Sequence, residues 1–267
     1  MEMVEVGGLR IAYDRAGAGP PLVLIHGGAG DGAATWRRQF EGLCGEFTVV
    51  AWDAPGAGGS SDPPESFGMA GYADCLAGFV NQLGLERPHV AGLSFGGMLA
   101  LEFHRRHPAI PRTLTLVSAY AGWGGSLPAD VAEQRLRQVL ALADLPPEEV
   151  VGALLPTMFS KTAARQDVDE FGASMLAFHP AGVRAMAWAC AEDLRGALPG
   201  INVPTLLVYG DQDVRASLTV AEDLQAAIPG STLVVLPDTG HACNIEAPEA
   251  FNGAVRNLLH TTSSLAT

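Results

Sequence analysis

Nearly unbroken apolar runs at residues 22–25, 47–52, 90–93 and 205–209, with one more strand read at 113–117, constrain this chain more than any other feature. A strand with one wet face alternates apolar and polar residues. These runs do not alternate, so both of their faces are buried. Between them lie stretches with helical spacing. Residues 33–44 carry Trp36, Phe40 and Leu43 on one face, and residues 69–83 and the segment containing Met98, Leu99, Leu101 and Phe103 read the same way. Such alternation predicts an α/β fold, a mostly parallel sheet flanked by helices on both faces. Residues 3–6 and 9–13, joined by Gly7-Gly8, read as a hairpin ahead of it.

The pattern breaks between residues 120 and 198. Strands vanish there, and Pro128, Pro146, Pro147, Pro156 and Pro180 punctuate what reads as four helices. The sheet resumes at residues 204–209, followed by a helix at 219–227, a strand at 232–236 and a helix at 249–259. The polar tail, residues 261–267, reads as disordered. The expected organisation is a core in two parts, 1–119 and 199–267, interrupted by a helical lid over 120–198.

Ligands of open parallel sheets sit beyond the carboxyl ends of the strands, and His26, Asp53 and Ser94 stand at three such ends. Ser94 lies in the frame Gly92-Leu93-Ser94-Phe95-Gly96, where a buried run turns sharply into a helix. Small neighbours are what a strained strand-to-helix turn needs in order to lift a serine hydroxyl clear of the packing. On these five residues alone, an N-capping serine in a glycine-rich turn serves equally well. Further along, Gly210-Asp211-Gln212-Asp213 follows one strand and Gly240-His241 the next. A serine hydroxyl becomes a strong nucleophile only beside a base, and the base needs an orienting carboxylate. Ser94, His241 and an aspartate at 211 or 213 supply these in the order serine, acid, histidine.

With these residues in view, the chain resembles a capped α/β-hydrolase over essentially its whole length. His26-Gly27-Gly28 is similar to that family's oxyanion loop, residues 53–60 to its loop after the next strand, and residues 240–249 to its histidine segment. The resemblance implies Ser94 as nucleophile, His241 as base and Asp213, rather than Asp211, as acid. It implies an oxyanion hole from the N–H groups of Gly28 and Phe95, and structural roles for His26 and Asp53. Within the superfamily, residues 92–98 and 244–249 resemble enol-lactonases and carboxylesterases. Ala242 stands where carbon–carbon hydrolases often carry tryptophan, and Gly27-Gly28-Ala29-Gly30 departs from the Gly-Gly-Pro-Gly of proline iminopeptidases. Epoxide hydrolases and dehalogenases place aspartate where Ser94 stands. The implied function is cofactor-free and metal-free hydrolysis of a small carboxylic ester or lactone through an acyl-enzyme. Met158, Phe159, Phe178 and Trp188 are the residues of the insertion expected to line its pocket. Glu192 and Asp193 are read as solvated surface.

Two other readings compete. Gly28-Ala29-Gly30-Asp31-Gly32-Ala33 fits a relaxed G-x-G-x-x-A frame, with Asp53 where a ribose-binding acid of an NAD(P)-dependent oxidoreductase would sit. That reading leaves His26, Ser94 and the late Asp–His pair unexplained. A hydrolase fold can also serve as a ligand receptor without turnover. The formal charge of −13, from 16 basic and 29 acidic residues, argues against nucleic acid and anionic membrane partners. It also favours a neutral small-molecule substrate. An anionic enol-lactone would need a local cation, for which Arg184 and Arg165 are the candidates. The four cysteines show no C-x-x-C pairing, so neither a disulfide framework nor a zinc site is expected. With no signal-peptide pattern and no apolar run of spanning length, a soluble cytoplasmic protein is expected.

Overall fold

The computed structural model describes residues 1–264. The chain opens with β1 (Glu2–Val6) and β2 (Leu9–Ala16), then alternates β3 (Pro21–Ile25), α1 (Gly32–Leu43), β4 (Thr48–Trp52), α2 (Gly68–Gln82), β5 (His89–Leu93), α3 (Phe95–Arg106) and β6 (Thr113–Val117). Five helices follow without a strand: α4 (Trp123–Ser126), α5 (Ala129–Leu142), α6 (Pro147–Leu154), α7 (Arg165–Met175) and α8 (Pro180–Ala191). The chain then re-enters the sheet as β7 (Thr205–Gly210), α9 (Leu218–Ala227), β8 (Thr232–Leu236), α10 (Cys243–Glu246) and α11 (Pro248–Ser264).

All eight strands form one sheet in the order β1-β2-β4-β3-β5-β6-β7-β8. Only the pairings of β2, with β1 and with β4, are antiparallel. The unbroken apolar runs now have their reason. Successive residues point to opposite faces, and each face has its own core. Leu22, Leu24, Val49 and Ala51 pack under α1 and α11 with Trp36 and Phe251. Val23, Ile25, Val50 and Trp52 pack under α2 and α3 with Leu76, Phe79 and Phe103. After β3 the chain moves outward to β4, then crosses back to place β5 on the other side of β3. The strand order therefore reverses between β3 and β5, and a crevice opens beyond their carboxyl ends.

Three sequence expectations change. The second strand runs on to Ala16 because Asp14, Arg15 and Ala16 pair with Ala51, Val50 and Val49, a partner that local pattern does not reveal. The insertion holds five helices rather than four, since the single-turn α4 (WGGS) hides behind two glycines. The last helix continues through residues 261–264, part of the tail read as disordered, because Thr261 and Thr262 hydroxyls bond back to the carbonyls of Asn257 and Leu258. The rest of that tail, residues 265–267, lies outside the described residues. No helix among the described residues is long and apolar enough to cross a membrane.

Candidate active site

Ser94 occupies the junction of β5 and α3 with φ of 53° and ψ of −109°, a conformation that side-chain-bearing residues seldom adopt. The strain is held from several sides. Ser94 N–H donates to the Val117 carbonyl at 2.8 Å, and Ser94 O accepts from Gly97 and Met98 at the start of α3. A methyl group at Gly92 would collide with the Gly96 carbonyl, and one at Gly96 with the carbonyls of Ile25 and His26. The two glycines of the frame are thus required by backbone packed against backbone.

His241 follows β8 on a loop fixed at each residue. Gly240 N–H donates to Glu246 Oε1 at 2.7 Å, Ser118 Oγ donates to the His241 carbonyl at 2.9 Å, and Ala242 N–H donates to the Met158 carbonyl at 2.8 Å. Its ring Nδ1 lies 2.8 Å from Asp213 Oδ2, with both side chains buried. That bond leaves Nε2 to the cavity that His241 lines. Asp213 Oδ1 accepts from the N–H groups of Arg215 and Ala216 at 2.8 and 2.9 Å. Asp211, two residues earlier, is exposed, so only the second aspartate reaches the imidazole.

Burial would raise the Asp213 carboxyl. The His241 charge and hydrogen bond, with the two amides, outweigh burial and hold it below its ordinary range. Burial lowers the His241 imidazole below its ordinary value, against the pull of Asp213 and with a further push from Arg215 and Arg135. The pair at neutral pH is therefore a carboxylate beside a neutral imidazole, an arrangement that can accept a proton at Nε2.

Ser94, Phe95, Gly28 and His241 line one small cavity of about 60 Å³ at the crevice between β3 and β5. The insertion closes it with Met158, from the turn beyond α6, and with Val183, Met186 and Cys190 of α8. Burial pushes the Cys190 thiol up to about 12, so this thiol in the cavity stays protonated at neutral pH. Of the four pocket residues expected from sequence, Met158 lines this cavity. Phe178 lines a smaller adjoining cavity of about 20 Å³. Phe159 packs edge-on against Phe171, 5.6 Å between centroids, behind the wall. Trp188 is 46% exposed on the outer side of α8 and lines no part of the cavity. One-dimensional pattern marks an apolar residue without saying which way its helix or loop will turn it.

His26 and Asp53 are committed to loops. His26 Nε2 accepts from Ala54 N–H at 2.9 Å, and Nδ1 lies 2.6 Å from the Gly27 carbonyl. Asp53 takes Gly32 N–H on Oδ1 and Gly59 N–H on Oδ2. Both oxygens of the acid on which the dinucleotide reading depended already serve backbone. Glu192 and Asp193 lie on the solvated surface as expected, where Glu192 also caps α2 by accepting from Met69 N–H at 2.8 Å and Asp193 pairs with Arg195. Arg165 is almost fully exposed and paired with Asp169, and Arg184 is paired with Asp144, so neither reaches the cavity. A residue that sequence reasoning passed over does reach it: Arg215, on the loop that carries Asp213. Its position two residues beyond the acid was the available signal.

Residues 22–254 match the alpha/beta hydrolase family. The RutD protein of Azorhizobium caulinodans, assigned as a carbamate hydrolase, is 30% identical over 94% of this chain and 96% of its own. A thermophilic esterase from Thermogutta terrifontis superposes with a TM-score of 0.90 at 30% identity, covering 98% of this chain and 99% of that one. The enol-lactonase of Burkholderia xenovorans, at 24% identity, shares the fold with a TM-score of 0.87 over 97% of this chain and 100% of its own.

Proposed function

This chain belongs to the alpha/beta hydrolase family, and on that premise we propose that it is a serine hydrolase of small carboxylic esters or lactones. The observation that carries the reading is His241, paired with buried Asp213 at 2.8 Å and sharing one cavity with a serine held at positive φ. Ser94 Oγ bonds to the substrate carbonyl carbon as His241 Nε2 takes its proton. The carbonyl π electrons move to oxygen, where the N–H groups of Gly28 and Phe95 receive the negative charge. Phe95 opens α3, and a first-turn N–H has no acceptor within its own helix. Each such donor is typically worth about 3 kcal/mol in the transition state. The tetrahedral intermediate collapses, the C–O bond to the alcohol breaks, and His241 returns the proton to the leaving oxygen. Water, deprotonated by the same nitrogen, then releases the acid and restores Ser94. Metal and cofactor have no part in these steps, and the helical insertion over residues 120–198 acts as the lid.

Similarity to the Azorhizobium protein supports a second reading, hydrolysis of a carbamate by the same residues through a carbamoyl-enzyme. The small cavity suits either group.

The test is labelling with a fluorophosphonate, followed by mass spectrometry of the modified peptide. The label is expected on Ser94, and Ser94→Ala is expected to fold normally and lose several orders of magnitude in turnover of a short p-nitrophenyl ester. Near-normal turnover by the folded variant would sink the mechanism. Parallel assays of esters, lactones and carbamates on one preparation decide between the two acyl classes.

A further inference from the structure

Two arginines beside the cavity, Arg215 and Arg135, have no carboxylate partner among the described residues. In a chain with 29 acidic and 16 basic residues, cations are readily neutralised. Nine of the arginines, from Arg37 to Arg256, form ion pairs with carboxylates. Among the described residues no carboxylate lies within ion-pair distance of Arg215 or Arg135, although both are half-buried. The nearest acid, Asp213, has both oxygens committed to His241 and to the amides of Arg215 and Ala216.

Arg215 is also held in place. Its N–H donates to Asp213, and its carbonyl accepts from the Tyr120 hydroxyl and, at 3.4 Å, from Arg135 Nη2. Its guanidinium Nη1 donates to Thr157 Oγ1 at 2.8 Å, which uses one of five N–H groups. Arg135 lies over the rings of Tyr120 and Trp123, 5.5 and 5.9 Å from their centroids. Burial, with Arg135 close by, lowers the Arg215 guanidinium below its ordinary value. A cation so placed is costly unless an anion completes it.

Its position shows where that anion would come from. Beyond the 60 Å³ cavity, a groove of about 570 Å³ runs between α5, α6 and the loop after β7. Val139, Leu154 and Arg215 face both spaces, so they form the wall between Ser94 and the groove. Val139 and Leu154 are apolar. Arg215 is the one charged residue on that shared wall.

We infer that Arg215 recognises a carboxylate on the substrate, so that this hydrolase acts on esters or lactones carrying a negative charge away from the scissile carbonyl. The inference rests on the hydrolase reading above and narrows it. The reacting carbonyl sits at Ser94, and the charged end of the molecule reaches the groove past Val139 and Leu154. Arg135 adds positive potential at the groove mouth. A local cation thus overrides the global charge of −13, which by itself favours neutral substrates.

The experiment compares matched esters by kcat/KM. Monoethyl glutarate against ethyl pentanoate places the charge on the acyl half. 3-Acetoxypropionate against propyl acetate places it on the alcohol half. The wild-type protein is expected to prefer at least one anionic ester by about tenfold or more, and the favoured pair identifies the half that faces Arg215. Arg215→Gln is expected to bring that ratio close to one, and Arg215→Lys to keep part of it. An equal loss for charged and neutral esters would mean that Arg215 merely fastens Thr157, and the inference would fall. A wild-type preference for both neutral esters would overturn it as well. Calorimetry on Ser94→Ala separates the two levels of the argument. Glutarate should bind at least tenfold more tightly than its diamide. Such binding by a protein that hydrolyses no ester would leave the arginine site standing and remove the hydrolase reading. Turnover of neutral esters without any anion preference would do the reverse.

Discussion

At the scale of single residues, the aspartates provide the sharpest contrast. Asp213 is buried against His241, whereas Asp211 is exposed. Asp213→Asn removes the charge that orients and stabilises the imidazolium, and kcat is expected to fall on the order of 10³–10⁴-fold. Asp211→Asn is expected to stay within a few-fold of wild type, and steady-state kinetics on the two variants checks the ranking. The direction of the His241 shift fixes a second expectation. In the proposed mechanism His241 works only when neutral, and burial moves its pKa below the ordinary value of 6.5. The acid limb of the kcat/KM profile should therefore have its midpoint below 6.5, leaving the enzyme near full activity in mildly acidic buffer. A midpoint above 6.5 would mean that Asp213 outweighs burial. The placement of these side chains was legible in the sequence, because a serine between glycines and a late Asp–His pair at strand ends form a joint pattern. The cation was less legible. Arg184 and Arg165 are the candidates that position in the insertion suggests, but ion pairing is a property of neighbours in space, and the arginine that reaches the cavity is Arg215, beside Asp213.

At the scale of elements, two glycines near the crevice behave oppositely. A methyl at Gly96 meets the backbone of Ile25 and His26, which neither β3 nor α3 can move cheaply. Gly96→Ala is expected to lower stability by about 1–3 kcal/mol or to displace Ser94. A methyl at Gly28 meets nothing within 4 Å, and Gly28 has no positive φ to relinquish. Gly28→Ala should stay within about 0.5 kcal/mol of wild type in a denaturant titration. Its methyl enters a cavity of only 60 Å³, so pentanoyl esters should lose more activity than acetyl esters. Elements with strong periodicity were readable to within a residue or two: helices expected at 33–44 and 69–83 are α1, Gly32–Leu43, and α2, Gly68–Gln82. The insertion was readable as helical but not as a surface. Met158 and Trp188 look alike on paper, yet one faces the crevice from the turn beyond α6 and the other faces solvent from α8, since packing against partners in space sets where each side chain points.

At the scale of the whole molecule, acid stability has an identifiable contributor away from the site. His89 begins β5, is fully buried, and has Nδ1 2.9 Å from Thr113 Oγ1 with no partner for Nε2. Burial, aided by Arg112, lowers its pKa from 6.5 to about 4. Between those values the unfolded chain binds the proton and the folded chain does not, so stability rises with pH across that window. The contribution is fully present above 6.5 and is lost as pH falls towards 4. A shift of this size corresponds to about 3 kcal/mol. Denaturant titrations at pH 7.5 and 4 should show His89→Gln losing about that much less between the two than wild type. An equal loss would place the acid sensitivity elsewhere, with buried His241 the next group to test.

The insertion leaves the sheet after β6 and returns at β7, and these strands are neighbours, with Val117 opposite Val208. Those strands run parallel, so exit and re-entry lie at opposite ends of the pair, but the ends of the insertion meet above the sheet, where Leu194 N–H donates to the Ala121 carbonyl at 2.8 Å, and the segment hangs from two nearly touching points. It is therefore a cassette. Another helical segment could be grafted between the same strands without altering strand order or the elbow. The graft would, however, have to reproduce three attachments: the Met158 carbonyl that accepts from Ala242, the Ser160 N–H that donates to Glu246, and the Thr157 hydroxyl that takes Arg215. A chimera that keeps these seams exchanges substrate preference as a unit, whereas one that omits them leaves the histidine loop untethered on its outer side.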